Sequence, residues 1–331
     1  MMKKIIQKVL KVLAWIVGVL IGLLIILGII NSIMTYAESK SVNSAYGQFV
    51  EINGGKVHVS VQGTGKKVAV LLPGLGVAAP GIDFKPLVNE LKKDYTVVVY
   101  EGFGYGPSDD TAKPRTTDNI VAEIHQTLAK LGYQKYSLIA HSISGVYALK
   151  YTLTYNNEVE AVVGIDSSVP NQNKLMPENL QKQLPNMSVL TGLFRFAGWA
   201  GIIRAYVTIA PNATTAYDRS GYELTGHEKD IINKLTIRNL ASNAVLDEMV
   251  RSDNDSGGLT ANTKYPSETP VKFFLSDQSL DLFPAWKDIH IAQLANPTNT
   301  SVVMLNGDHF LYHTQASTIA NGLRSLVTHA N

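Results

Sequence analysis

A buried strand that stops at a serine and passes straight into a helix leaves a chain few folds to choose from. In Tyr136-Ser137-Leu138-Ile139-Ala140-His141-Ser142-Ile143-Ser144-Gly145 the apolar run from Ser137 to Ala140 ends abruptly, and Gly145 to Tyr151 is compatible with a helix. Ser142 then sits on the turn, flanked two residues either side by the small residues Ala140 and Ser144. A serine in that place is held in a strained conformation that lifts its hydroxyl out of the sheet, and small neighbours are needed because strand and helix approach closely. The pattern is G-x-S-x-G with Ala and Ser in the glycine positions; taken alone, a serine among small residues also reads as a helix N-cap.

A chain of 331 residues with 45% hydrophobic content can bury a large core, as one big α/β domain or two smaller ones. Its formal charge of +2 hides an asymmetry: Lys3, Lys4, Lys8 and Lys11 are the only charges before residue 35, leaving 25 basic against 27 acidic residues beyond them. Without a basic patch interleaved with aromatics, nucleic acid is not an expected partner. Without cysteine there is no disulfide framework, thiol nucleophile or Cys-ligated metal.

Val12 to Ile30 holds no charged or strongly polar residue. At 1.5 Å per residue it spans about 28 Å, the thickness of a bilayer's hydrocarbon core. It reads as a transmembrane anchor (12–34) after a basic segment (1–11). The lysines before it place the N-terminus in the cytoplasm and the bulk of the chain outside, at the cell membrane. A cleaved signal peptide is the rival, but Thr35-Tyr36-Ala37 is a poor cleavage site. Gly18 and Gly22 form a small-xxx-small pair, which reads either as a helix-pairing face or as the ordinary glycine content of such helices.

Residues 35–45 are polar and read as a short tether. Gln48–Ile52 and Lys56–Gln62 alternate as strands around Asn53-Gly54-Gly55, a hairpin signal. Val68–Leu72, Tyr95–Tyr100, the run before Ser142, Val159–Ile165, Val271–Leu275 and Ser301–Leu305 are apolar runs expected for buried strands. Phe84–Leu91, Ile120–Leu131 and Ala316–Leu326 have helical spacing. Strands alternating with helices imply a mostly parallel sheet with helices on both faces. The alternation breaks in 170–269, which reads as a helical cap between two parts of the core (46–169 and 270–331). Within it, Thr225-Gly226-His227-Glu228 resembles a capping box, and Leu240–Val250 is a second helical run. Val189–Val207 is apolar and aromatic but carries Arg195 and Arg204, which count against a second span. It reads as cap core, or as the wall of an apolar substrate pocket or a lip touching the membrane.

Four signals follow one another at strand ends: Pro73-Gly74-Leu75-Gly76, the run Glu101-x-x-Gly104-x-Gly106-x-Ser108, the Ser142 turn, and Gly307-Asp308-His309-Phe310. Together they resemble the α/β-hydrolase family over about residues 46–328, and within it membrane-anchored bacterial hydrolases and their proline-iminopeptidase-like relatives. The resemblance implies the α/β-hydrolase fold and a Ser, acid, His triad in that chain order. Ser142 would be the nucleophile and His309 its base, since a serine hydroxyl is too weak a nucleophile unless a neighbouring base takes its proton. His313 reads as a surface or supporting residue and His141 as packing. Position matching gives the backbone N–H groups of Leu75 and Ile143 as the oxyanion hole.

The acid departs from the pattern. Family members commonly carry it three residues beyond the small residue ending the strand after the cap; here that position is Ser279. The alternative placement, at the end of the strand before the cap, is Asp166, which ranks first, with Asp281 and then Asp277 as alternatives. The expected function is a membrane-anchored serine hydrolase acting on an ester or amide of a small, partly apolar molecule, carboxylesterase-like because an apolar cap suits an acyl group. The alternatives are a proline-iminopeptidase-like aminopeptidase, for which Glu223, Glu228 and Asp230 offer acidic cap residues, and a non-catalytic cell-surface binding module. No metal or organic cofactor is expected; oligomeric state is left open.

Overall fold

The structure, a computed structural model, describes residues 2–43, 46–214, 222–252, 254–296, 298 and 300–328. Its centre is an eight-stranded sheet: β1 (Gln48–Ile52), β2 (Gly55–Gln62), β3 (Lys67–Leu72), β4 (Tyr95–Glu101), β5 (Tyr136–His141), β6 (Val159–Ile165), β7 (Val271–Ser276) and β8 (Thr300–Leu305). The spatial order is β1-β2-β4-β3-β5-β6-β7-β8. The hairpin β1–β2 and its pairing to β4 are antiparallel, and every other pairing is parallel.

The helices are α1 (Met2–Asn43), α2 (Pro80–Asp83), α3 (Lys85–Leu91), α4 (Thr117–Lys130), α5 (Ser144–Thr154), α6 (Glu178–Gln181), α7 (Met187–Trp199), α8 (Ile202–Ile209), α9 (Gly226–Asn239), α10 (Asn243–Arg251), α11 (Asp277–Leu282), α12 (Trp286–Ala292), α13 (Leu311–Thr314) and α14 (Ala316–Thr328). Two cores form because the central strands are apolar on both faces. Ile120, Ile124 and Leu128 of α4 and Leu149 of α5 pack with Val70, Leu138 and Val162 on one face. Leu87 and Leu91 of α3 and Ile319 and Leu323 of α14 pack with Leu71, Ile139 and Val163 on the other.

Parallel register brings the strand ends that matter to one edge. Leu72 pairs with Ala140, His141 with Ile165, Ile165 with Phe274, and Ser276 with Leu305. The loops carrying Leu75, Ser142, Asp166 and His309 therefore leave the sheet side by side, at the carboxyl edge where open α/β sheets place their ligands.

Two elements differ from the sequence-based expectation, and the apolar run of the cap, left without an element there, resolves into helices. Residues 35–43 of the expected tether are helical, continuing α1; residues 44 and 45 lie outside the described residues. No Gly or Pro interrupts 29–43, and Asn31, Thr35 and Glu38 lie on one face where Arg204 bonds all three. Val42 packs with Ile231, Ile232 and Leu235 of α9. The apolar run 189–207 splits into α7 and α8 at Gly201, whose φ of 76° ends one helix and starts the next. The second cap run begins at Asn243 rather than Leu240, because the Ser242 side chain accepts from Val245 N and caps it. The capping box at Thr225 is present, with Glu228 closing it.

Close approach of α5 to the turn after β6 fixes the position of the Ser142 loop. A Cβ on Gly145 would stand 2.5 Å from Ser168 O and 2.7 Å from Ser167 Cβ. Gly145→Ala is expected to destabilise the fold by about 1–3 kcal/mol, since neither neighbour is the tip of a flexible side chain. Urea unfolding in detergent, followed by circular dichroism, reads this as a lower midpoint at unchanged slope.

Candidate active site

Ser142 has φ of 54° and Asp166 φ of 39°, the left-handed region that non-glycine residues seldom occupy. The surrounding hydrogen bonds hold the serine there. Its N–H donates to Ile165 O at 3.3 Å, and its carbonyl accepts from Gly145 N at 2.9 Å and Ser168 N at 2.7 Å. Ser144 Oγ donates to Pro73 O at 2.5 Å, tying the start of α5 to the loop that carries Leu75. Strain of this kind persists only where the neighbours over-determine it, as they do here.

Asp166 is buried and accepts four hydrogen bonds. Ser276 N (3.1 Å) and Trp286 Nε1 (2.8 Å) reach Oδ1; Ser279 Oγ (2.6 Å) and His309 Nδ1 (2.6 Å) reach Oδ2. Burial acts to raise its carboxyl pKa, but the bonds and charge of His309, then those of Ser279 and Trp286, outweigh it and hold the group below the ordinary carboxylate value. Asp277, in contrast, accepts from Asn306 Nδ2 at 2.8 Å and Gly307 N at 3.1 Å, and Asp281 lies on α11 without a bond to the His309 ring. The geometry therefore brings His309 to Asp166 and to neither alternative.

With Nδ1 committed to the carboxylate, the His309 Nε2 lone pair is the one available to take a proton; it carries no hydrogen bond among the described residues, and neither does Ser142 Oγ. Serine and imidazole share one edge without a closed contact, an arrangement that tightens on substrate binding in many hydrolytic sites. The backbone N–H groups of Leu75 and Ile143 are likewise unspent among the described residues, and both residues line a cavity of about 180 Å³ with Ser142. Leu75 also lines a second cavity of about 280 Å³, with Val77, Ala79, Ile232 and Phe310 and the polar residues Asp83 and Thr236.

Sequence reasoning missed two things here. Ser276, Ser279 and Trp286 form the cradle of Asp166; the family pattern marked Ser279 only as a missing acid, and no local pattern marks Trp286. The wall of the cavity at Ser142 is mixed, with Ser168, Asn171, Gln172 and Asn254 beside Val146 and Val169, and none of it comes from 189–207, whereas an apolar wall from that run was one expectation. The signal was legible as Asn171-Gln172-Asn173 a few residues beyond Asp166. His313 is buried rather than on the surface, its Nε2 3.0 Å from Asp83 Oδ1. Glu228 is engaged by Thr225 in the capping box and by Lys85 and Tyr222.

His141 is packed as expected, with Nε2–H donating to His309 O at 3.0 Å. Burial first, and the neighbouring His309 second, push its pKa from the ordinary 6.5 down to about 3. The folded protein thus keeps this imidazole neutral while the unfolded chain protonates it near 6.5, so stability falls as pH is lowered from 6.5 toward 3. His141→Gln is expected to flatten that part of the profile; thermal midpoints between pH 7 and pH 4.5, compared with the unaltered chain, measure it.

Comparison with known proteins identifies the fold. The family model for the alpha/beta hydrolase fold matches residues 69–318. The uncharacterized protein YbdG of Bacillus subtilis is 28% identical over 239 residues, 70% of each chain. The "Putative carbamate hydrolase RutD" of Cronobacter turicensis is 34% identical over 103 residues, only 31% of this chain and 38% of that protein. Among solved structures, the epoxide hydrolase VrEH1 from Vigna radiata superposes with a TM-score of 0.64 at 18% identity, covering 85% of this chain and 97% of that one.

Proposed function

Because the chain belongs to the α/β-hydrolase fold family, we propose that it is a serine hydrolase, anchored by α1 in the cell membrane with its hydrolase domain outside. It cleaves an ester or amide of a small molecule through an acyl-enzyme. The observation that carries this reading is the His309–Asp166 contact at 2.6 Å, with Asp166 buried and fully bonded and Ser142 held in a left-handed turn at the same edge.

In this mechanism His309 Nε2 takes the Ser142 Oγ proton as the oxygen attacks the substrate carbonyl carbon. Negative charge moves to the carbonyl oxygen, between the Leu75 and Ile143 N–H groups. Asp166 stabilises the imidazolium and keeps its Nε2 aimed at the reacting oxygen. Collapse breaks the bond to the alcohol or amine, which leaves with the proton from His309. Water, deprotonated by the same nitrogen, then hydrolyses the acyl-enzyme and returns Ser142.

The cavity beside Ser142 sets Asn171, Gln172 and Asn254 against Val146 and Val169, and the one at Leu75 sets Asp83 and Thr236 against Val77, Ile232 and Phe310, so each suits a substrate that carries both polar and apolar groups. Among the described residues lining the two cavities, the carboxylates that could hold a free amine, as an aminopeptidase requires, are Asp255 and Asp83; Asp255 already accepts from Thr117 N and Gly257 N, and Asp83 is engaged by Tyr312 and His313. Ester turnover is thus expected to exceed that of proline amides. The carbamate named for RutD is a carbonyl substrate within reach of the same steps. An epoxide, as named for VrEH1, is not, because serine attack would leave an ether that water does not cleave.

Ser142→Ala is expected to lose labelling by a fluorophosphonate probe and to lower turnover of a short p-nitrophenyl ester at least ~1000-fold. Unchanged labelling would remove the nucleophile, and no labelling of the unaltered protein would favour the binding module. Asp166→Asn should cost about 10³–10⁴ in kcat, with Asp281→Ala close to unaltered. Steady-state kinetics of the pair decide the acid, and the reverse ranking would move it to α11.

A further inference from the structure

The cap leaves an apolar row uncovered. On α7, Val189, Leu193 and Phe196 follow at i, i+4 and i+7, and on α8 Ile202, Tyr206 and Ile209 do the same. Leu193 is 61% exposed, Phe196 48% and Ile209 85%. Aligned large apolar side chains of this kind are uncommon on water-facing surfaces, where such patches stay small. The two helices carry no carboxylate, only Arg195 and Arg204.

What lies next to this row identifies its occupant. Trp199, at the end of α7, packs on α1 at Gly28, where an added Cβ would stand 3.1 Å from the indole Cε2. Gly28 lies two residues inside the apolar run that ends at Ile30, about 3 Å below its end. One step up, Asn31 Nδ2 donates to Gly198 O at 2.9 Å. Next, Arg204 donates to Asn31 Oδ1 at 2.7 Å, to Thr35 Oγ1 at 2.8 Å and to both Glu38 oxygens at 2.8 and 2.9 Å. These contacts join α7 and α8 to the α1 segment that leaves the bilayer. Any placement of α1 with its apolar run in hydrocarbon carries the α7–α8 junction to the interface.

From this we infer that α7 and α8 form a second membrane contact. Their apolar row rests in the boundary between headgroups and acyl chains of the bilayer that α1 crosses, so that the cap is held against the lipid surface. The inference rests on the reading of α1 as a membrane span. Interfacial helices of this type bury their apolar face about 5–10 Å into that boundary. Arg195, bonded to Asn243 Oδ1 at 2.8 Å and otherwise exposed, is placed to meet anionic headgroups at the same level.

The absence of cysteine makes the test direct, because each introduced thiol is the sole labelling site. Leu193→Cys, Phe196→Cys, Leu20→Cys and Thr154→Cys are labelled with an environment-sensitive fluorophore. Each full-length variant is then reconstituted in phosphatidylcholine–phosphatidylglycerol vesicles containing spin-labelled lipids. Leu20 reports the span, and Thr154, at the end of α5 away from the Ser142 turn, reports water. The expected result is strong lipid quenching at 20, 193 and 196 and none at 154. Quenching at 20 without quenching at 193 and 196 overturns the inference while the anchor stands. No quenching at 20 removes the anchor reading and the inference with it. Blue-shifted emission at 193 and 196 that lipid does not quench assigns the face to a second copy of the chain, which also overturns it.

Discussion

One buried carboxylate organises the candidate site. Asp166 ends β6 in a left-handed conformation and gathers donors from four places: the end of β7, the start of α11, the start of α12, and the loop after β8. A charge this deep is tolerable only if its lone pairs are used, and the bonds from His309, Ser279 and Trp286 together outweigh burial. The consequence is mechanical as well as electrostatic. The Nδ1 of His309 is anchored by a group that the fold itself immobilises, which leaves Nε2 as the nitrogen that can close on Ser142.

The same economy of placement explains Ser279. It occupies the position where the family resemblance places an acid, yet it donates to Asp166 at 2.6 Å. In the proposed triad the carboxylate stands at the end of β6 rather than β7, and a hydroxyl occupies the position that the resemblance gives to the acid. Two adjacent strand ends 110 residues apart in sequence can exchange this role because parallel pairing sets Ile165 beside Phe274. The cap emerges between those same two strands, so the Asp166 contacts also tie together the two parts of the core that the cap separates.

Much of this was legible in the sequence, for physical reasons that can be named. Strands buried on both faces announce themselves as unbroken apolar runs, and the Ser142 turn does so through small residues flanking an abrupt end. The helical course of 35–43 was hidden because its polar face is satisfied by Arg204, a partner about 170 residues away. Which carboxylate meets His309 depends on how the loops after β6 and β7 fold, and Asp166, Asp277 and Asp281 look alike in composition. The polar part of the cavity was obscured by the apolar residues of 189–207, of which Val189, Leu193, Phe196 and Trp199 face outward and none lines the cavity at Ser142. Local chemistry could be read from the chain, but the direction in which a cap helix presents its apolar side could not.

The central claim is that Ser142, His309 and the amides of Leu75 and Ile143 converge on one reacting carbonyl. A crystal structure of the protein after reaction with a fluorophosphonate tests this most directly. The expected adduct has a covalent bond from Ser142 Oγ to phosphorus, with the phosphoryl oxygen about 3 Å from both amide nitrogens and His309 Nε2 turned to the serine oxygen. An adduct on another residue, or one at Ser142 with its oxygen directed away from both amides, would contradict it.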